Sequence, residues 1–563
     1  MDKEESYIPT ITLDRKRFSS FVGHNLSVEE MTKWLPWIGT DTEDVGPDYV
    51  KIEYNPNRVD FCSYSGVARA FQGLMGWKTG IPNFTVKPGS IQLNVDKSVA
   101  KVRPYVVSAI VRGLKIDNDI IRELMEMQEA LHWMIGRDRK KASIGVHKLD
   151  NVEPPFSYIT CAPNEIKFIP LDKTEEMTPQ EILEKHEKGM AYRSEIDFAS
   201  RYPLIVDRKG RVLSFPPIIN GELTRVVKDT KDLFIDVTGT ELNAIQRSLN
   251  VLVTALADMG ATIETVNVKY FDKVLITPNL KPQKLKLHLN YSNERLGVDF
   301  SEVQTIEALE HSRLGAKKIG KGILDVKIPA YRTDILHEID LVEDVAIGYG
   351  IYKLEPTKPS SITTGKPHKV SEITSYVRQI MVGLGFTEAL NFVLTNEEDH
   401  YHKMRRKPEN LITLANPVSG DYSIIRNDLL PSLIKNLAIS KHHIFPQKMF
   451  EVSDVIGLNG TSETYTERRI HLAAVSSHPT ANFTEIKSIL DSLLVNLGWN
   501  FWEVKETLHP SFLQGRVAMI NLNKMKLGFV GEIHPEVLNN FELENPTSAF
   551  EIDLQKIIDC VGA

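Results

Sequence analysis

The chain has 563 residues, enough for about three to five domains at roughly 100–200 residues each. Its 42% hydrophobic and 25% charged content is ordinary for a soluble globular protein, and a net charge of −7 argues against a dedicated nucleic-acid binder, which is usually basic. No uncharged apolar run of about 18 residues offers a membrane span. Met1-Asp-Lys-Glu-Glu-Ser6 lacks a signal-peptide core, and the widely spaced Cys62, Cys161 and Cys560 read as reduced thiols of a cytoplasmic protein.

Residues 1–75 read as a small α+β unit. Ile8–Leu13 and Val50–Tyr54 are strand-like, Ser27 caps a helix through Met31 and Trp34, and a second helix runs over residues 63–74. Residues 76–268 read as a larger mixed domain. Ile91, Leu93 and Val95 alternate with polar residues, and Tyr105–Val111 is a more apolar strand. Ile120, Ile121, Leu124, Met127, Leu131 and Met134 form a helical stripe. Thr178-Pro-Gln-Glu181 is a capping box, Val206–Val212 a hairpin signature and Leu233–Val237 a buried strand. A helix with Leu242, Ile245, Leu249, Leu252 and Leu256 on one face then runs to Gly260.

Residues 269–357 form a shorter third unit, with Leu285, Leu287 and Leu289 alternating and a capping box at Ser301 and Gln304. Glu355-Pro-Thr-Lys-Pro-Ser-Ser361 is the best linker in the chain. Residues 362–563 are expected to form a mostly antiparallel sheet with helices. A helix is expected near 370–384 and another over 426–440. Strands are expected at 387–394 and 449–455, and near 471–476, 501–505, 515–521, 525–532 and 548–553.

One acidic stretch stands out, Tyr331-Arg-Thr-Asp-Ile-Leu-His-Glu-Ile-Asp-Leu-Val-Glu-Asp344. Asp340, Glu343 and Asp344 share one face of a predicted helix, with Ile339, Val342, Val345, Ala346 and Tyr349 on the other. Asp334, just upstream, can reach the same spot. Two readings stay open: a hard divalent cation held by four carboxylates, or acidic residues complementing a helix N-terminus. Two basic runs, Arg137-Asp-Arg-Lys-Lys141 and Lys403-Met-Arg-Arg-Lys407, read as nucleic-acid patches or as solvated loops. No Walker loop, dinucleotide fingerprint, HExxH or CxxC occurs. His147, in Gly145-Val-His147, reads as a polar site residue or a structural one.

Several stretches, in order, resemble the beta subunit of phenylalanyl-tRNA synthetase in its archaeal and eukaryotic form. Asn57-Arg-Val-Asp-Phe-Cys-Ser-Tyr-Ser-Gly66 resembles its N-terminal signature. Leu213-Ser-Phe-Pro-Pro-Ile-Ile-Asn-Gly221 and Asp236-Val-Thr-Gly-Thr240 resemble its editing domain, and residues 328–350 are the closest match. Asn416-Pro-Val-Ser, Leu429-Leu-Pro-Ser-Leu433 and Gly528–Val537 resemble its synthetase-like C-terminal domain.

The resemblance implies an α+β multidomain chain. Its parts would be a small N-terminal α+β unit (1–75), a mixed editing domain (76–268), a small helical metal-bearing unit (269–357) and a class II synthetase-like antiparallel domain lacking the active site (362–563). It implies an α2β2 ligase that joins phenylalanine to tRNA(Phe) with ATP and Mg²⁺, with ligation on the alpha subunit. Gly383-Leu-Gly-Phe-Thr-Glu388 lacks the arginine such a ligation site needs. By resemblance, Asp236, Thr238, Ser214 and Asn220 carry the editing of mischarged Tyr-tRNA, Leu204 lines the pocket, and Asp334, Asp340, Glu343 and Asp344 take Mg²⁺. The chain ends soon after Phe550–Leu554, so anticodon contacts are expected from elsewhere. Rival expectations are a free-standing protein that binds or hydrolyses aminoacyl-tRNA without a ligase partner, and an architectural subunit with a dead pocket.

Overall fold

The computed structural model describes residues 8–358, 363–522 and 525–562, which fall into two compact units, Met1–Lys358 and Pro359–Ala563.

The first unit opens on a three-stranded antiparallel sheet, with Tyr49–Tyr54 between Thr10–Asp14 and Thr40–Val45. Ser27 caps the Val28–Trp34 helix in a capping box with Glu30, as the sequence predicts. The next helix, Tyr64–Leu74, closes no separate core. Phe18, Phe61 and Phe71 pack in one cluster with Leu124, Leu131, Leu249 and Leu252 from the Asn118–Met134 and Leu242–Asp258 helices. Residue 75 is therefore a change of sheet and not an edge of the hydrophobic core.

The main sheet of this unit runs in the order Ile219–Asn220, Val212–Phe215, Tyr202–Val206, Phe156–Cys161, Gln92–Val95, Thr262–Lys269, Tyr105–Arg112, Leu233–Gly239 and Ala142–Lys148. It curls until its ends approach: Asn220 Nδ2 donates to the Val146 carbonyl at 3.5 Å. That curvature creates the seam where the site lies. A third sheet, Ile323–Ile328 between Gln283–His288 and Gly315–Gly320, carries the Glu302–His311 and Glu338–Tyr349 helices. The helices approach closely because Gly348 has no side chain; a Cβ there would stand 1.8 Å from the Ala308 carbonyl oxygen. Of the linker expected over 355–361, residues 359–361 lie outside the described residues.

The second unit is built on a seven-stranded sheet. Its order is Thr387–Glu388, Gln447–Leu458, Thr466–Ser477, Thr547–Asp553, Met525–Ile533, Phe512–Leu522 and Trp502–Glu506, antiparallel except at the first pair. Lys369–Gly383, Phe483–Asn496 and Leu554–Gly562 bury their apolar stripes on one face, and Leu430–Ile439 and Pro535–Asn540 on the other. The strand expected over 387–394 is two short strands, Thr387–Glu388 and Leu394–Thr395. The helix expected from 426 begins at Leu430, with Pro431 in its first turn, where a missing N–H is tolerated.

Candidate functional site

At the seam of the main sheet lies a cavity of about 620 Å³. Ser214, Asn220 and Asp236 all line it, so three of the five expected editing residues meet there. Ser214 and Asn220 face each other across the Val212–Phe215 and Ile219–Asn220 pair. Asp236 pairs in register with Gly145 and Ser108 in the centre of three adjacent strands. Its carboxylate reaches the cavity only because position 145 is glycine. A Cβ there would stand 2.3 Å from Asp236 Oδ2 and 2.7 Å from His147 Nε2.

Asp236 and His147 are both buried. Asp236 Oδ2 lies 2.7 Å from His147 Nε2, and His147 Nδ1 lies 2.8 Å from the Thr224 hydroxyl. His147 is thus neither a surface residue nor one that lines the cavity: it stands behind Asp236.

Four lining side chains keep a buried polar atom with no protein partner: Ser214 Oγ, His132 Nδ1, Arg139 Nε and His186 Nε2. Such atoms are rare in native proteins, because an unmade buried hydrogen bond costs about 1–3 kcal/mol. Four of them belong to side chains that line this one cavity. The Ile144 N–H donates to His132 Nε2 at 2.8 Å, so the His132 proton sits on Nδ1. That nitrogen is 3.8 Å from Glu129 Oε1, too long for a hydrogen bond. Burial lowers the His132 pKa and keeps the ring neutral.

The other two expected editing residues lie elsewhere. Leu204 packs in the core with Cys161, Phe168, Leu183 and Phe215. Thr238 sits one strand repeat from Asp236, but its hydroxyl accepts from Arg103 Nε at 3.0 Å and its carbonyl from Arg103 Nη2 at 2.8 Å. Arg103 also holds the carbonyls of Arg139 and Lys140, and burial drops its pKa to about 10. Neither Asp236 nor Thr238 caps the following helix by its side chain; that helix has Glu241 at its N-cap.

The Arg137–Lys141 run is part of the cavity wall as well as surface. Arg137, Asp138 and Arg139 all have positive φ (49°, 55° and 65°), a conformation costly for residues with a Cβ. Arg139 is buried and donates to Glu129 and to the carbonyls of Pro217 and Ile218. The second basic run is mostly paired: Lys403 with Asp399, Arg405 with Glu536 and Arg406 with Asp428.

The acidic stretch folds around a cation of its own. Arg332 Nη1 and Nη2 donate to the two oxygens of Asp344 at 3.1 and 2.8 Å, and Nε and Nη2 donate to Asp334 at 2.9 and 2.6 Å. Burial disfavours the Asp334 carboxylate, and Arg332 more than offsets that, keeping its pKa below the usual range. Asp340 turns to the backbone, its Oδ2 accepting from the N–H groups of Leu336 and His337 at 2.7 Å each. Glu343 is exposed, and desolvation and the charges of Asp344 and Asp334 raise its pKa. The implied Mg²⁺ does not fit this arrangement as a four-carboxylate ligand set. Among the described residues no group of three or more His, Cys, Asp or Glu side chains is disposed to hold a metal ion.

The second unit has its own cavity, about 780 Å³, on the sheet face that carries the Leu430–Ile439 helix. Ion pairs cross it: Arg406–Asp428 and, at 2.8 and 2.6 Å, His471–Glu551 and Arg469–Asp553. Glu551 also accepts from the Leu429 and Leu430 N–H groups at 2.9 Å each, and so ties up the helix start. Gly383–Glu388 is a helix end, a turn with Gly385 at φ 85° and an edge strand.

Two family models match the chain, one in the first unit and one over the antiparallel sheet of the second. They are a tRNA synthetase B5 domain over residues 285–351 and a "Phenylalanyl tRNA synthetase beta chain CLM domain" over residues 354–554. The fold is therefore of the aminoacyl-tRNA synthetase class. Phenylalanine–tRNA ligase beta subunits resemble the chain over nearly its whole length. That of Methanosphaera stadtmanae is 40% identical, over 98% of this chain and all of its own length. Those of Methanosarcina barkeri and Archaeoglobus fulgidus are each 43% identical, over 98% of this chain and 99% of their own. A crystal structure of an N-terminal fragment of the beta subunit from Pyrococcus horikoshii superposes with a TM-score of 0.59 at 38% identity, covering 61% of this chain and 99% of the fragment. The chain belongs to the phenylalanine–tRNA ligase beta subunit family.

Proposed function

We propose that this chain is the non-ligating subunit of a ligase that charges tRNA(Phe) with phenylalanine, and that its own chemistry is hydrolysis of tRNA(Phe) mischarged with tyrosine. Ligation, with ATP and Mg²⁺, belongs to an alpha subunit. The observation that carries the editing reading is the cavity with buried Asp236 in its wall and four partnerless polar atoms around it.

Tyrosine exceeds phenylalanine by one hydroxyl, and an apolar ligation pocket rejects an added hydroxyl by only ~10²-fold. A second site that hydrogen-bonds the phenol supplies the missing discrimination. The neutral His132 N–H and the Ser214 hydroxyl are suited to that, since neither has a competing partner. Asp236 accepts from the α-ammonium group of the aminoacyl ester, and Asn220 orients the ester carbonyl or terminal ribose. Water then adds to the carbonyl carbon, the bond to the ribose oxygen breaks, and that oxygen leaves with a proton. Thr238 and Arg103 act behind the site, by holding the 139–140 backbone.

The second unit supplies a surface for the alpha subunit. Leu390 and Phe392 are 86% and 76% exposed, and Phe392 meets Tyr422 edge-on at 5.8 Å. Apolar side chains this exposed on one short run suit a partner surface. In the complete α–β complex, Asp236→Ala is expected to lower the rate of Tyr-tRNA(Phe) hydrolysis at least 10-fold. An unchanged rate would remove Asp236 from the reaction.

A further inference from the structure

We infer that His147 is a positioning residue for the hydrolytic site, fixing the Asp236 carboxylate through Nε2–H while Thr224 fixes the ring; this rests on the editing reading above.

An ionised carboxylate is acceptor-only, so the short 2.7 Å contact requires the proton on His147 Nε2. Nδ1 lies 2.8 Å from the Thr224 hydroxyl, which also meets the Gly221 carbonyl at 3.2 Å, so the ring is tied to the backbone of the turn through that hydroxyl. Both ring nitrogens are thereby engaged, and the carboxylate loses its freedom to rotate. The backbone makes the arrangement possible. His147 lies two residues from Gly145 on the strand paired with Leu233–Gly239, so both face the same side, and the missing Cβ at 145 leaves room for the contact. Thr224 comes from the short helical turn that follows the Ile219–Asn220 strand. The chain of bonds therefore also joins the two ends of the curled sheet at the cavity seam.

Only one oxygen of Asp236 is engaged by His147, which leaves the carboxylate able to accept from a ligand ammonium in a fixed direction. A carboxylate free to turn would still bind that group, but would hold the ester less often in the geometry water attacks. Loss of His147 is therefore a kcat effect more than a KM effect.

The test uses the α–β complex, purified Tyr-tRNA(Phe) and steady-state deacylation. His147→Leu is expected to lower kcat about 10-fold or more with KM changed less than threefold. His147→Gln, which keeps an N–H donor, is expected to recover most of the loss. In the Asp236→Ala background, His147→Leu is expected to add nothing, because two residues that act as one unit are not additive. Thr224→Val, which removes only the hydroxyl, is expected to lower kcat severalfold and serves if the leucine variant does not fold. Wild-type rates in both His147→Gln and Thr224→Val, or a full additive loss in the Asp236→Ala background, would overturn the inference alone. A wild-type complex that leaves Tyr-tRNA(Phe) intact would overturn the editing reading and this inference with it.

Discussion

Asp236 and His147 are 89 residues apart and meet at 2.7 Å. Resemblance pointed to Asp236, whereas nothing in local spacing ties it to His147, which reads as well as a structural histidine. The signal lies in strand alternation: Gly145 and His147 share a face, and a glycine in an otherwise filled strand marks a close approach. Thr238, two residues on from Asp236, is tied to Arg103, whose Nε donates to its hydroxyl. A different residue, His509, makes a prediction about acid stability. Burial and the nearby Arg406 charge push its pKa down to about 4, from 6.5 when unfolded. Between those values the unfolded state binds more protons, so stability is full above pH 6.5 and falls as pH drops toward 4. Comparing pH-dependent melting of the second unit in wild type and His509→Gln should show about 3 kcal/mol less acid sensitivity in the variant. Equal sensitivity would mean His509 titrates normally in the fold.

The Glu338–Tyr349 helix was legible as an element, but its wheel was not. The expected apolar face included Ile339, which is 45% exposed, and omitted Leu341, which is fully buried with Val342 and Val345. Asp344 lies on the buried side, and a buried carboxylate needs a buried cation. Arg332 provides it, although within the motif it reads only as one basic residue among acids. Removing one partner of such a pair costs about 3–5 kcal/mol, so Arg332→Met should lower the melting temperature of the first unit by several degrees. The same arrangement predicts that the isolated chain melts identically with EDTA and with Mg²⁺. A drop in EDTA that Mg²⁺ restores would return Asp334, Asp340, Glu343 and Asp344 to a common ligand set. The close approach of this helix to Glu302–His311 gives a further check. Gly348→Val must push the two helices apart, and melting should show a loss of at least 2 kcal/mol.

Across the whole chain, the class of fold and most elements were visible in the sequence, because hydrophobic period and caps are local. The boundary expected at residue 75 does not divide the core, whereas the division between the two compact units, at Lys358/Pro359, falls inside the linker expected over 355–361. The helix at 64–74 has an ordinary amphipathic pattern, and only the structure shows that its buried side belongs to the same core as the helices at 118–134 and 242–258. Charge told the same story at this scale: a net of −7 fits a chain whose two basic runs are largely paired internally. An exposed Phe392 predicts that Phe392→Asp weakens association with the alpha subunit by 10-fold or more while leaving the chain folded, as sedimentation of the mixture would read. In the proposed function this chain contributes editing and assembly and leaves ligation to its partner. Phenylalanine-dependent ATP–pyrophosphate exchange, measured on each chain alone and on the mixture, tests that most directly. No exchange by this chain alone and robust exchange by the complex are expected; exchange catalysed by this chain alone would contradict the proposed division of labour.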